Sequence, residues 1–404
     1  MLLELAWRNI WRQTYRTALT LSSIALTCAI TVFLLALQRG TYGIMEENAL
    51  HVMDGFAQIQ PRGYADDPDI RKTIGASDTL MQRLATLGVT ATPRAASYAI
   101  LTHGSRSDGA AVFGVDPQRE LQVSSLGRLV KTGRYLHSED SDDAVIGAGL
   151  ARNLQLQVGQ QFTLLGGARD GSVAADVLTV VGIFSSGSNE LDRQVVEVPL
   201  KRFQATFSMD DRVNTIALAT PTLTQMQSTL PGIRKVAGSR NLAVRDWTQL
   251  EPALHDAILL DASFSSLIYV TLIAVVVFIL LNTLLMSVLE RTREFGMLMA
   301  VGMHTAKVGA MVWIELLLLT GCGTLLGMSV GVAVTAWFAI HGIPVPSAEA
   351  LFSQWHMPSS LQPRLDLTSA TTGPLVIAAS IVIAGLVPYL RVRRLRPVTA
   401  MRAT

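Results

Sequence analysis

Residues 290–307 read ERTREFGMLMAVGMHTAK and separate two long apolar runs. The segment begins with charged residues and continues with apolar ones and two glycines. If it is a helix, its period places Phe295, Leu298, Met299 and Gly302 on one face. A short amphipathic helix between two membrane spans either lies in the lipid interface or fits a groove on a partner. A loop that only connects the spans is the alternative.

The composition is that of a membrane protein. The 404 residues are 50% hydrophobic and only 16% charged, and the mean hydropathy is +0.37, whereas soluble domains carry about a quarter charged residues. The net charge of +2 and the absence of a lysine-rich block argue against nucleic-acid binding. Cys28 and Cys322 both lie in apolar runs, so no disulfide framework is expected.

Four apolar runs predict membrane helices at 17–38, 262–289, 308–340 and 367–390. The first has 22 uncharged residues, and at about 1.5 Å per residue it is long enough for a hydrocarbon core of about 30 Å. A cleavable signal peptide is the alternative, but its apolar core would be only about 7–15 residues long. The third run contains one charge, Glu315. An ionisable group inside a span indicates a functional site, and a structural role near residues 290–307 is at least as well supported, because Glu315 lies only about two turns inside the span.

The N-terminal residues 1–16 predict a basic amphipathic helix on the membrane surface. Arg8, Arg12 and Arg16 recur every four residues, and Trp7 and Trp11 lie on the neighbouring face. Arginines and tryptophans arranged in this way anchor helices to anionic lipid. Ordinary positive charge beside a span is the overlapping alternative.

Residues 39–261 lack a run long enough to cross a bilayer and predict one mixed α+β domain. Both ends keep helical spacing and predict stalks that continue the first two spans. Residues 144–165 predict a strand, a short helix, a glycine turn and a strand. Residues 222–236 predict a helix that is interrupted at Pro231 and Gly232.

Basic residues near the spans predict the topology. Three precede the first span, three lie in 291–307 and five lie in the tail 391–404, whereas Arg364 is alone in the loop 341–366. The positive-inside rule therefore places both termini and residues 290–307 in the cytoplasm, and the domain 39–261 outside.

Three glycines of the third span, Gly323, Gly327 and Gly331, are spaced by four residues. Small residues on one helix face allow close helix approach in lipid. We expect either a static contact within the chain or a seam that moves during function.

Residues that would indicate catalysis are absent from the sequence. No glycine precedes a lysine, so there is no phosphate-binding loop of the Walker A type. The histidines show no HExxH or paired spacing, so no metal site is predicted. GMSVG at 327–331 matches a nucleophile motif only formally, because it lies inside an apolar span.

Several stretches together resemble the FtsX/MacB/LolE group of ABC-transporter permeases. They are LLNTLLMSVLERTREFG, with Asn282 and Met286, the N-terminal LAWRNIWRQTYRT, and the tail RRLRPVTAMR. The phrase VVGIFSSGSNELDRQVVEVPL is most similar to the LolC/LolE lipoprotein-releasing permeases. Gln160 is a departure, since relatives usually have aspartate after the turn glycine.

This resemblance implies a fold of four transmembrane helices with a MacB-like periplasmic core domain inserted between helices 1 and 2. It also implies that 290–307 is the coupling helix that docks on an ATPase subunit. The residues implied in coupling are Glu290, Arg291, Arg293, Glu294, Phe295, Gly296 and Gly302.

The implied function is that of a non-catalytic permease of the bacterial inner membrane. Two copies of a cytoplasmic ABC ATPase would bind ATP and magnesium, and this chain would hold no cofactor. A second permease, identical or related, and a periplasmic lipoprotein or adaptor are the other implied partners. Lipoprotein release is favoured. The alternatives are MacB-like efflux with an adaptor and an outer-membrane channel, and FtsX-like regulation of a periplasmic partner.

Overall fold

The computed structural model describes residues 2–12, 14–75, 77–137, 141–238, 240–344 and 360–393. These residues form two compact units. The membrane unit contains the described residues up to Gly43 and from Ile258 onward, and the inserted domain contains those from Ile44 to Ala257. Most of the loop 341–366 and of the tail 391–404 lies outside the described residues.

The membrane unit contains, within the described residues, four helices long and apolar enough to cross a bilayer. They are the first span (Thr14–Ala49), the second (Pro252–Glu290), the third (Thr305–His341) and the fourth (Leu367–Ala384, continued by Leu386–Arg393). The prediction of four membrane helices is therefore confirmed, and each predicted apolar run exceeds about 20 residues.

Three shorter elements complete the described membrane unit. The N-terminal helix covers Leu2–Arg12, so it ends before the predicted residue 16, and Thr14–Arg16 belong to the first span. A helix at Thr292–Ala300 lies between the second and third spans. A two-residue ladder pairs Ile343–Pro344 with Ser360–Leu361.

The inserted domain is built on a sheet of ten described strands. They are β1 (Ala57–Pro61), β2 (Thr90–His103), β3 (Arg106–Val115), β4 (Val130–Gly133), β5 (Asp143–Gly147), β6 (Gln161–Gly167), β7 (Val173–Phe184), β8 (Val195–Pro199), β9 (Thr215–Ala219) and β10 (Leu242–Asp246). The order is β10-β1-β9-β2-β3-β8-β5-β7-β4, and β6 pairs with β2 and β7. The β3–β8 and β5–β7 pairs are parallel.

Helices pack against this sheet and bury its apolar residues. They are Ser77–Ala85, Pro117–Val123, Ala148–Leu154, Asn189–Gln194, Leu200–Thr206, Leu223–Gly238 and Trp247–Leu250, with a π-helical turn at Leu50–Asp54 and a 3₁₀ turn at Leu126–Leu129. Phe203 and Phe207 stack at 4.3 Å between ring centroids in the main core, where Phe162 is also buried. The mixed α+β prediction is confirmed.

Two local predictions have different outcomes. The strand, helix, turn and strand of 144–165 are confirmed, and the Gln160 side chain accepts a hydrogen bond of 2.8 Å from the Gln157 amide inside the turn. The interruption at Pro231 is wrong, because the helix runs unbroken from Leu223 to Gly238. Buried Leu230 and Ile233 on either side of the proline hold both halves of this helix against the domain.

Candidate functional site

The coupling stretch, residues 290–307, contains a short helix and a turn rather than one continuous helix. Its helix covers Thr292–Ala300, and the third span begins at Thr305. Gly302 has a φ of +104°, a left-handed conformation that favours glycine and ends the helix. The prediction that Gly302 shares a helix face with Phe295 is therefore wrong.

The coupling helix turns its most apolar face inward. Phe295, Gly296 and Met299 are buried in a core that also contains Val308 and Met311 of the third span. Phe295 is only 1% exposed. These residues hold the helix on its own chain, so they are unable to contact a partner directly.

The opposite face of the coupling stretch is exposed and partly apolar. Met297 is 54% exposed and Val301 is 89% exposed. Arg293 and Ala300 are exposed as well. Residues 293, 297 and 300–301 follow helical spacing, so they form one surface, which we call the outer face. The sequence lacked a signal for this division, because apolar residues occur on both sides of the helix.

Ion pairs join the coupling stretch to the N-terminal segment. Arg16 Nη1 lies 2.7 Å from Glu290 Oε2, and its Nη2 donates to the Thr283 carbonyl at 3.2 Å. Arg12 Nη2 lies 2.9 Å from Glu294 Oε1. Glu294 lies in the first turn of the helix, where a carboxylate also interacts favourably with the helix dipole.

Arg291 connects the coupling stretch to the third span. Its Nη1 donates to Glu315 Oε2 at 3.1 Å, and its Nε lies 3.5 Å from Glu294 Oε2. The guanidinium carbon lies 5.3 Å from the centroid of the Phe295 ring, close enough for a cation–π interaction. Glu315 therefore has an ion-pair partner at the helix junction, which agrees with the structural alternative.

The N-terminal helix has one buried and one exposed face. Ala6 and Ile10 are buried, whereas Trp7 and Trp11 are 47% and 63% exposed. Arg8 is exposed beside them. Arg12 and Arg16 form ion pairs within the chain, and the anchoring of Trp7, Arg8, Trp11, Arg12 and Arg16 in lipid stays a prediction.

The three seam glycines of the third span face the first span. A Cβ on Gly327 would lie 2.6 Å from the Cys28 Cβ and would also contact the Ala25 carbonyl. All three glycines are buried. A Cβ on Gly323 would lie 2.9 Å from the Ile24 Cβ. A Cβ on Gly331 would lie 2.9 Å from the Ala29 Cα and 3.0 Å from the Val32 Cβ. The seam is thus a contact between two helix backbones.

The fourth span also packs against the first span, which the sequence analysis missed. A Cβ on Gly373 would contact the Thr31 side chain and would lie 3.2 Å from Leu35 Cδ1. At the far end of the first span, Arg39 Nη1 lies 2.5 Å from Asp366 Oδ2. A lone glycine without a spaced partner gave no signal for this contact.

Buried charges in the inserted domain were also missed. Arg94 Nε donates to Glu120 Oε2 at 3.1 Å, and Tyr135 donates to Glu197 Oε2 at 2.7 Å. Burial, followed by the nearby charge of Glu120, raises the pKa of Glu197 to about 8. The sequence did contain a signal for these buried charges, namely a charged residue within an apolar strand, such as Glu197 in VVEVP.

Metal coordination has no candidate among the described side chains. No three histidine, cysteine, aspartate or glutamate residues in that part of the chain are grouped closely enough to hold an ion.

Two family models match the chain. The model described as MacB-like periplasmic core domain matches residues 17–236, and the one described as FtsX-like permease C-terminal matches residues 266–397. Together they cover the first span, the inserted domain up to residue 236, and the last three spans from residue 266 onward.

Three known proteins illustrate these similarities. The lipoprotein-releasing system transmembrane protein LolC of Neisseria meningitidis is 24% identical, over 96% of this chain and 94% of the relative. The macrolide export ATP-binding/permease protein MacB of Hyphomonas neptunium is 25% identical, over 98% of this chain but 60% of the relative. The crystal structure of the periplasmic region of MacB from Actinobacillus actinomycetemcomitans has a TM-score of 0.37 and 16% identity, over 52% of this chain and 97% of that one.

Proposed function

The chain belongs to the FtsX-like ABC-transporter permeases with a MacB-like periplasmic core domain. From this premise we propose that it transmits conformational change, driven by ATP hydrolysis in a separate ATPase, to its inserted domain. The chain is a multi-pass membrane protein in which this domain lies between the first and second spans. Its sequence has no phosphate-binding loop of its own. In this proposal the partner ATPase, in two copies, binds ATP and magnesium.

The outer face of the coupling stretch is the observation that carries the proposal. Met297, in the helix, and Val301, directly after its end, expose apolar surface, and the other face of the helix is fixed by Phe295 and Met299. A rigid helix with an exposed apolar face fits a groove on a partner. The lipid interface is the competing environment for such a face.

The ion pairs around Arg291 give the proposed docking helix a route for transmitting force. Arg291 links it to the third span through Glu315, and Glu294 links it to the N-terminal helix through Arg12. Displacement of the docked helix would therefore pull mainly on the third span, because breaking the partly buried Arg291–Glu315 pair is costly, whereas the exposed Arg12–Glu294 pair adds little. In this proposal both termini and the coupling stretch face the cytoplasm.

Release of a lipoprotein from the inner membrane is the proposed task. It is supported by the LolC relative, which matches almost end to end, whereas the chain spans only 60% of the MacB relative. We place a second permease, identical or related, beside this one. MacB-like efflux with an adaptor is the second candidate, since the inserted domain matches the MacB-like model. Accumulation of unreleased lipoprotein on depletion of this chain favours the first candidate, and unchanged lipoprotein with lost efflux favours the second.

Val301→Asp tests the coupling proposal. Burying a valine side chain in an interface is worth roughly 1.5 kcal/mol or more, so the variant should retain at most about a tenth of the co-purifying ABC ATPase. Val173→Asp is the matched control, because Val173 is a similarly exposed valine, at 77%, on β7 of the inserted domain. The measurement is the amount of ATPase that co-elutes with the tagged chain, together with ATP hydrolysis in nanodiscs.

Glu294→Lys provides a second test within the same helix. It places a lysine opposite Arg12 and removes the favourable dipole interaction, so we expect weaker coupling with the spans still folded. Full ATPase binding and hydrolysis in both Val301→Asp and Glu294→Lys would show that the coupling stretch is a passive connection.

A further inference from the structure

A cavity of about 570 Å³ lies inside the inserted domain and has no role in the proposed coupling. Its size is within the range of roughly 300–1,000 Å³ that is typical of small-molecule sites. The π-helical turn Leu50–Asp54, strands β2, β3 and β8, the helix Asn189–Gln194 and the first residues of the second span all contribute to its wall. Because these elements are far apart in sequence, the cavity exists only in the folded domain.

The lining combines apolar side chains with acidic ones. Its apolar part includes Met45, Val52, Met53, Phe113, Leu191 and Leu254. Asp54, Glu190 and Glu251 are its carboxylates, and the described lining contains no lysine, arginine or histidine. Tyr98 adds a further aromatic ring. Aromatic rings and carboxylates both attract organic cations.

Asp54 and Glu251 come from different elements and interact directly. Burial, followed by the charge of Asp54 and a hydrogen bond with it, raises the pKa of Glu251 to about 7. Gln58 donates to Asp54 Oδ1 at 3.1 Å, which fixes the second carboxylate of the pair. The titratable groups of the lining are these two carboxylates, Glu190 from the neighbouring helix, and Tyr98 from β2. Outside the lining, the buried guanidinium of Arg94 interacts electrostatically with Asp54. No cationic side chain in the described lining faces Glu251, so this arrangement favours a cation supplied by a ligand.

We propose that this cavity binds a small amphiphilic amine, with its apolar body against Phe113, Leu191 and Leu254 and its ammonium group between Asp54 and Glu251. The apolar lining supplies the burial energy and the carboxylates select the charge. A neutral compound of the same shape would gain nothing from the charge of the acidic pair, and an anion would be repelled. This site is independent of the coupling helix, so either proposal can fail without the other.

Binding of the amine should depend on pH through Glu251. At about pH 6 this carboxylate is mostly protonated, and at about pH 8 it is mostly ionised, so the affinity for an ammonium group should rise about tenfold between the two. The amine itself stays charged, because alkylammonium groups titrate near the lysine value of about 10.4. Binding near neutral pH should therefore release protons.

The experiment uses the full chain in nanodiscs of zwitterionic lipid, with empty nanodiscs as the blank. Phenylbutylamine, phenylbutanol and phenylbutyrate are the probes, since they share one apolar body with a cationic, neutral or anionic head. Titration calorimetry in buffers of different ionisation enthalpy measures affinity and proton release together. We expect the amine to bind at least about tenfold more tightly than the alcohol.

Glu251→Gln should weaken amine binding about tenfold and abolish its pH dependence, because the isosteric amide keeps the shape and loses the charge. Asp256→Asn is the matched control, since Asp256 is exposed on the helix that begins directly after Glu251 and is not among the residues that line the cavity. Equal binding of the amine and the alcohol, or unchanged binding and pH dependence in Glu251→Gln, would overturn the proposal.

Discussion

Gly327→Ala should destabilise the membrane unit, whereas Gly321→Ala should not. The new Cβ at 327 would lie 2.6 Å from the Cys28 Cβ, whereas unbonded carbons prefer about 3.5–4.0 Å. The first and third spans would have to separate by about 1 Å, and overpacking of this kind costs about 1–3 kcal/mol. Gly321 lies on the same helix with no atom within 4 Å of its hypothetical Cβ, and alanine there should gain up to about 1 kcal/mol of helix propensity.

The assay is unfolding of the full chain in mixed micelles of increasing SDS content, followed by circular dichroism. The helix-propensity gain is common to both variants, so they should differ by the overpacking cost of about 1–3 kcal/mol in the free energy of unfolding, with Gly327→Ala the less stable. Gly331→Ala should lie between them, because its closest contacts are longer, at 2.9 and 3.0 Å. Equal stabilities for Gly327→Ala and Gly321→Ala would refute the close contact between the first and third spans. A stability of Gly331→Ala outside the range set by the other two variants would refute it as well.

Two further predictions concern topology and pH. Ser105 in the inserted domain and Ala300 on the coupling helix are both exposed, so a cysteine at either position is open to labelling. In a chain without native cysteines, a membrane-impermeant thiol reagent added outside should label Ser105→Cys but not Ala300→Cys. The reverse pattern would contradict the proposed orientation. The pKa of Glu197 is raised to about 8 in the folded domain, whereas a glutamate in an unfolded chain has a pKa of about 4.3. Protonated Glu197 therefore contributes its full stabilisation of the inserted domain below about pH 4.3. This contribution is lost as the pH rises toward about 8. Thermal unfolding should show this loss, Glu197→Gln should reduce it, and an identical pH profile in the variant would contradict the assignment.

The sequence predicted those features that depend on neighbouring residues. Each span is one uninterrupted apolar run, so hydropathy located it without knowledge of its partners. The resemblance to the permease family is confirmed by the two family models. The glycine spacing indicated a close helix contact, and only the structure identified the first span as the partner.

Features that depend on distant residues were not predictable. Arg94 and Glu120 are 26 positions apart, and Tyr135 and Glu197 are 62 apart, so no local pattern relates them. The lining of the amine cavity extends from Met45 to Ala257. On the coupling helix, periodicity indicated an amphipathic element, but packing against the third span determined which face became buried.

The glycine seam has a further consequence for motion. The three seam glycines have no side-chain rotamers, so on the third span forming or opening this contact changes no side-chain entropy at these positions. A contact made by interlocking leucines would require several side chains to be rearranged each time the helices separated. The first and third spans can instead part and rejoin with a small entropic barrier, while the ion pairs of Arg16 and Arg39 retain both ends of the first span. The seam is therefore suited to repeated opening and closing rather than to permanent attachment.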